Sequence, residues 1–302
     1  MWFLNSRAQP IGGDVTPVRI TDGSQTYLTF PKLLSDIRGQ HLLIGIHGFN
    51  VAQAGGIDHL HQWDKLLTLG ESSLFLGALW PGDSTWLGAV EYPFAAKSAM
   101  RSGDALAAFI NANFTQALSI SFVSHSLGVR VALRAIQQLA SSFNVRRLIA
   151  MAPAIDDNCL TEEFAAAAKR IEAITVLASD QDKVLELAFP LGNPLSGIFS
   201  QGHPYWHAAL GREGPAVYPK PNNIQAGWLL PNSWKVDHGD YLPPQSPFPE
   251  GFQPAAYPPP VNFPPSTAPT PYPTIPNGYL VENVPVHWQC GWTAAITSIR
   301  FR

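Results

Sequence analysis

The chain has 302 residues, a formal net charge of -3, 46% hydrophobic and only 14% charged residues. That length accommodates one large α/β domain or two small ones and by itself favours neither; one domain with an appendage fits, and the hydrophobic content can fill a sizeable core. The charge balance leaves no electrostatic footprint for nucleic acid, and no run approaches the about 18 apolar residues of a membrane span, so neither a nucleic-acid partner nor an integral membrane segment is expected.

The N-terminus, MWFLNSRAQP, lacks the basic stretch followed by an apolar run that marks a secretory leader. A soluble, cytoplasmic chain is expected, and a secreted mature form would read the same way. Charged residues are well below the roughly 25% of an average soluble domain, which suits a low-charge surface and greasy substrates. From about residue 39, short apolar runs alternate with helical patterns, the signature of a parallel sheet covered by helices. HLLIGI (41–46), SLFLGALW (73–80), SISFVS (119–124), RRLIAM (146–151) and AITVLA (173–178) are nearly continuous in apolar residues, as strands buried on both faces should be. Lys97 to Phe114 and Val129 to Leu139 carry helical spacing and serve as crossovers.

Beyond Phe189 the composition shifts to Gly, Pro and aromatics until about Pro231. That is too long for an ordinary connection, and 189–223 is read as a lid-like insertion walling a pocket. From Pro243 to Pro285 roughly one residue in three is proline, which excludes helix and central strand. Phe248, Phe252, Tyr257, Phe263, Tyr272 and Tyr279 punctuate this stretch, and disordered segments usually lack such rings. The chain therefore divides into a catalytic domain over 1–242 and a Pro-rich extension over 243–302, packed on the core in extended form. Cys159 and Cys290 lack CxxC spacing and are too few for a disulfide scaffold; they are expected to be structural thiols, with one bridge between them left open.

The chemistry centres on SHSLG (124–128), between the strand SISFVS and the helix VRVALRAIQQL. This is the strand–turn–helix setting of a nucleophile elbow, with Ser126 at its apex. Small residues are needed two places either side; Gly128 fits, and Ser124 stands where glycine is usual. HGFN (47–50) follows the strand LLIGI, where the backbone N–H of Phe49, with that of Leu127, would form an oxyanion hole. His47 is then structural. A serine hydroxyl needs a base, and the base needs an acid to fix its tautomer. Taken in the order serine, acid, histidine, Asp182 in SDQDKVL and His238 in VDHGDYL complete a triad. Asp180, Asp156 and Asp157 are rival acids, and His287 is the rival base.

HGFN, WPGDS (80–84), SHSLGVRVA, APAIDDNCLTEEF (152–164), SDQDKVL, ALGREGP (209–215) and HGDYL together resemble a little-characterised bacterial α/β-hydrolase family. Its pattern reads HGFN, WPS, AHSMGNR, an aspartate-rich stretch, SxxD, LGxxGP and HxxY. The resemblance covers roughly 40–242 and departs at WPGDS. It implies an α/β-hydrolase fold, and the family triad carries over onto Ser126, Asp182 and His238.

The expected activity is hydrolysis of a small-molecule or lipid-like carboxylic ester through an acyl-enzyme, with Phe199 and Trp206 against the acyl group. A lipase or polyester hydrolase is the runner-up, and a non-enzymic binding protein on the same fold is the competing class. His59 with His61, and His203 with His207, have spacings metals can use but lack further ligands. No Gly-rich nucleotide motif occurs, so no metal and no cofactor is expected. Oligomeric state is not legible.

Overall fold

The computed structural model describes residues 1–7, 15–21, 24–26, 30–67, 69–70, 72–83, 92–187, 189, 208–216, 223–230, 232–242, 291 and 294–295. Nine strands form one sheet: β1 (Trp2–Asn5), β2 (Thr16–Thr21), β3 (Ser24–Thr26), β4 (His41–Ile46), β5 (Ser73–Leu79), β6 (Ser119–His125), β7 (Val145–Met151), β8 (Ile171–Ala178) and β9 (Ile224–Leu229). Their spatial order is β3-β2-β1-β5-β4-β6-β7-β8-β9. The seven from β1 to β9 run parallel, while β2 and β3 continue the β1 edge antiparallel. This is an α/β-hydrolase architecture. The five apolar runs are its central strands, buried almost end to end.

Among the described residues, six helices accompany the sheet: α1 (Phe30–Ile37), α2 (Gln53–Leu66), α3 (Tyr92–Asn113), α4 (Gly128–Gln138), α5 (Ala165–Arg170) and the short α6 (Leu210–Glu213). Helix α4 packs against α3 and α5 as well as β4, β6 and β7. Its residues Gly128 to Leu133 are all buried, because a crossover wedged between two helices and a sheet has little face left for water. Helix α2 packs on β5.

The strand order fixes where a site can form. From β4 the chain steps to β5 on one side and then returns to β6 on the other. The two strands lie side by side, with Ile46 opposite Ser124. The connections leaving β4 and β6 therefore diverge and open a crevice at the carboxyl ends of those strands. Both motifs of interest, HGFN and SHSLG, sit there.

Three regions depart from expectation. β1 to β3, α1 and α2 were not legible, and the stretch running to Pro231 is not all connection, since β9 pairs parallel with β8. In the extension, Gly291, Ala294 and Ala295 are helical rather than extended, and all three are buried. A Cβ added at Gly291 would lie 2.7 Å from the Asp240 carbonyl oxygen. The proline-rich part of the extension, with His287 and Cys290, lies outside the described residues.

Candidate active site

Ser126 occupies the turn between β6 and α4 with φ of 54°. That left-handed conformation costs a non-glycine residue on the order of 1–3 kcal/mol and persists only where surroundings impose it. They do so here. The Ser126 N–H donates to the Met151 carbonyl at the end of β7 (2.9 Å), and the Ser126 carbonyl accepts from the Val129 N–H (3.2 Å). Glycine at 128 follows from close approach: a Cβ there would lie 2.3 Å from the His47 carbonyl oxygen and 2.8 Å from Ser124 Oγ. Ser124 is tolerated in place of glycine because its hydroxyl donates to the Ile46 carbonyl at 3.2 Å.

His238 lies in the loop after the 3₁₀ turn Asn232–Trp234. Its Nε2 is 3.0 Å from Ser126 Oγ, and its Nδ1 is 2.7 Å from Asp182 Oδ2. Asp182 is fully buried, and its second oxygen accepts from the Leu185 N–H at 2.8 Å. Asp237 ties the base loop to the acid loop: its Oδ1 accepts from both the Lys183 N–H (3.0 Å) and the His238 N–H (2.8 Å). The Ser179 hydroxyl adds a bond to the Val236 carbonyl at 2.6 Å.

Of the rival acids, Asp180 accepts from the Gln181 side chain at 3.0 Å, and Asp157 meets the 208–216 segment through its backbone. It is Asp182 that meets the imidazole.

The HGFN turn lies against the elbow, with a Cβ at Gly48 only 3.2 Å from Ser126 Cβ. Among the described residues, no group accepts from the N–H of Phe49 or of Leu127. His47 is a structural group. Its Nε2 accepts from the Trp80 N–H (3.3 Å), so its Nδ1 carries the proton and donates to the Gly48 carbonyl (2.9 Å). Burial pushes its pKa down to about 4.

His125, next to Ser126, is likewise buried, and its pKa falls to about 3, first from burial and then from the neighbouring His238. Behind it lies a small, mostly apolar cavity lined by Gly45, Leu60, Trp63, Met151 and Leu242 among others. Neither Ser126 nor His238 lines that cavity, so it is not the site of the reacting atoms.

Ser126, Asp182, His238, Phe49 and Leu127 are thus brought together. Phe199 and Trp206 lie outside the described residues, as do His203 and His207. Cys159 is buried and free, and burial pushes its thiol pKa up. Among the described residues, no group of three or more His, Cys, Asp or Glu is arranged to hold a metal, and no helix is long and apolar enough to cross a membrane.

Sequence reasoning missed two groups around the site, His125 and Asp237; both stand beside motif residues, and that proximity was the only signal.

Comparison with known proteins agrees with the architecture. No curated protein matches the chain. Among solved structures, the Pyrococcus furiosus esterase Pf2001 shares 11% identity at a TM-score of 0.30, over 54% of this chain and 70% of that one. One of two prolyl endopeptidases shares 15% at a TM-score of 0.36, over 79% of this chain, which spans only 35% of that protein. Both likenesses are too distant to bear on activity. The model of one family, described as alpha/beta hydrolase of unknown function (DUF900), matches residues 24–202, and the chain belongs to that family.

Proposed function

We propose that the protein is a serine hydrolase of carboxylic esters, with Ser126 as nucleophile, His238 as base and then acid, and Asp182 as orienting carboxylate. The observation that carries this reading is the unbroken relay from Ser126 Oγ to His238 Nε2 (3.0 Å) and from His238 Nδ1 to Asp182 Oδ2 (2.7 Å).

As Oγ attacks the ester carbonyl carbon, its proton passes to Nε2. The carbonyl oxygen gains negative charge and is met by the Phe49 and Leu127 N–H groups. Collapse of this intermediate breaks the bond to the alcohol, which leaves with the proton from Nε2. Water then repeats the sequence on the acyl-enzyme, releasing the acid and restoring Ser126. Asp182 keeps the proton on Nδ1 and stabilises the imidazolium. Nucleophile, base and acid are all side chains, so the reaction calls for no cofactor.

The substrate is a small-molecule or lipid-like ester. The 189–223 segment walls the acyl group through Phe199 and Trp206, since loops beside a rigid scaffold commonly set specificity. Residues 1–242 form the catalytic domain, and 243–302 pack onto it as an extension; burial of Gly291, Ala294 and Ala295 supports that division.

A chain-length series of p-nitrophenyl esters, run with fluorophosphonate labelling and mapping of the modified residue, tests the reading. Turnover with label on Ser126 is expected. Preference for long acyl chains would move the assignment to a lipase or polyester hydrolase, and neither turnover nor labelling would leave a binding protein.

A further inference from the structure

Arg7 follows β1, in a part of the chain that the family match over 24–202 does not reach. Its guanidinium Nη1 donates to the Val51 carbonyl (3.2 Å) and to the Trp80 carbonyl (2.7 Å), while its Nη2 pairs with the Asp83 carboxylate. The Arg7 side chain is 8% exposed and that of Asp83 44%, so the bonds to the carbonyls form where water competes little.

These contacts join two loops at the crevice: the one after β4, which contains HGFN, and the one after β5, which contains WPGD. Other bonds run the same way. Trp80 Nε1 donates to the His47 carbonyl at 2.8 Å, the two rings stack 15° from parallel, and the Asn50 N–H donates to the Gly82 carbonyl at 2.6 Å. Asn50 itself has φ of 56°, a left-handed conformation that asparagine tolerates, and its bond to Gly82 ties the end of the turn to the second loop. Phe49 therefore lies between clamped neighbours: His47 on one side, Asn50 and Val51 on the other.

We propose that Arg7 is a positioning residue for the oxyanion hole: by tying the Val51 and Trp80 carbonyls to one guanidinium, it fixes the 47–51 turn so that the Phe49 N–H stays aligned with the developing oxyanion. This rests on the triad reading above. Arginine suits the task because its planar fork reaches two carbonyls and a carboxylate at once, whereas a lysine ammonium is a single point. The departure of WPGDS from the family's WPS then has a use, since it supplies Asp83, the anion that holds the fork in place.

The test compares an ordinary ester with its thiono counterpart, whose C=S sulfur is a poor hydrogen-bond acceptor and draws less from an oxyanion hole. Removing an oxyanion donor outright costs about 10²–10³ in kcat; a displaced donor in Arg7→Gln should cost about tenfold in kcat/KM on the ester. KM should change less than about twofold, and the loss on the thiono ester should be clearly smaller. Arg7→Lys should lose nearly as much as Arg7→Gln. Should Arg7→Gln fail to fold, Asp83→Asn keeps the arginine but frees it, and the same bias against the ordinary ester is expected at smaller amplitude.

Equal losses on both esters, or a lowered melting temperature with unchanged kcat/KM, would overturn the proposal and leave Arg7 a structural residue. If the wild-type protein turned over neither ester and Ser126 took no label, the triad reading itself would fail instead.

Discussion

His125 Nε2 lies 2.7 Å from the backbone carbonyl of His238, so the residue preceding the elbow serine grips the main chain of the residue that faces it. A carbonyl can only accept, so Nε2 carries the proton. With its pKa held at about 3, His125 stays neutral across the working range. That matters because the rings of His125 and His238 are 4.7 Å apart, and a charged His125 would oppose the imidazolium that the proposed mechanism forms.

His125→Phe keeps a ring but strands the His238 carbonyl, a loss worth about 1–3 kcal/mol where the acceptor is left unsatisfied. We expect kcat to fall about tenfold, KM to change little, and His125→Gln, which keeps a donor, to recover most of the rate. Steady-state kinetics on one short ester check this, and an unchanged kcat in His125→Phe would refute it.

Ser126→Ala should abolish ester turnover without altering the fold, since a nucleophile of this kind supplies on the order of 10⁶ in kcat in the best-measured protease. Residual activity above about a tenth of wild type would sink the nucleophile assignment. The two aspartates of the acid loop separate more finely. Asp182→Asn keeps the shape of the side chain but removes the charge that selects the productive tautomer, and should lose at least about 10² in kcat. Asp180, bonded to the Gln181 side chain, should lose less than about tenfold as Asn. Both are measured side by side, and the reverse order would move the acid to Asp180.

The central strands were legible because each is a short, nearly continuous apolar run between turn signals, as a doubly covered parallel strand requires. The elbow was legible because its chemistry demands small residues at fixed places. β1 was not: WFLN is four residues long, too short for period to tell strand from anything else, and its pairing partner β5 lies about seventy residues away. β9 was hidden by the opposite problem. IQAGWL sits among prolines and glycines, and a strand with its own glycine carries a weak local signal that pairing with β8 overrides. In α2, Gly55 and Gly56 argue against helix, yet packing on β5 decides the outcome. At the candidate site, Ser126, Asp182 and His238, which the structure brings within hydrogen-bond distance, were readable from motif order, whereas the contacts of Arg7 and Asp237 run largely to backbone atoms that no pattern of side chains announces.

Gly128→Ala should be the most damaging single methyl in the elbow. The added carbon would stand 2.3 Å from the His47 carbonyl oxygen, and that oxygen is fixed because Trp80 Nε1 also donates to it. Relief requires the 47–51 turn to move away from Ser126. Overpacking of this kind typically costs about 1–3 kcal/mol. Activity should fall further than the stability loss explains, because the oxyanion donors would shift with the turn. Gly70→Ala is the control: nothing lies within 4 Å of its added carbon, and it should stay within about 0.5 kcal/mol of wild type. Urea unfolding and kcat/KM on both variants decide, and a fully active, fully stable Gly128→Ala would show that the turn has slack.

Stability should fall steeply with acid well before the carboxylates titrate. His47 and His125 are buried, and burial lowers their pKa values from 6.5 to about 4 and about 3. The unfolded chain therefore binds protons near pH 6.5 that the folded chain refuses. Unfolding free energy rises with pH wherever the unfolded state holds more protons, so the folded state is unpenalised above pH 6.5 and loses ground as pH drops below it. By pH 4 the loss amounts to about 3 kcal/mol for each histidine. Burial also lowers the pKa values of His59 and His61, which steepens the same slope. Urea midpoints taken from pH 7.5 to pH 4.5 should fall continuously below pH 6.5. In His125→Phe the unfolding free energy should start lower, because a bond to the His238 carbonyl is gone, but should fall less steeply, because one of the two fully buried imidazoles no longer titrates. A slope identical to that of wild type would mean that His125 takes up its proton equally in both states, and would remove the argument that it stays neutral beside His238.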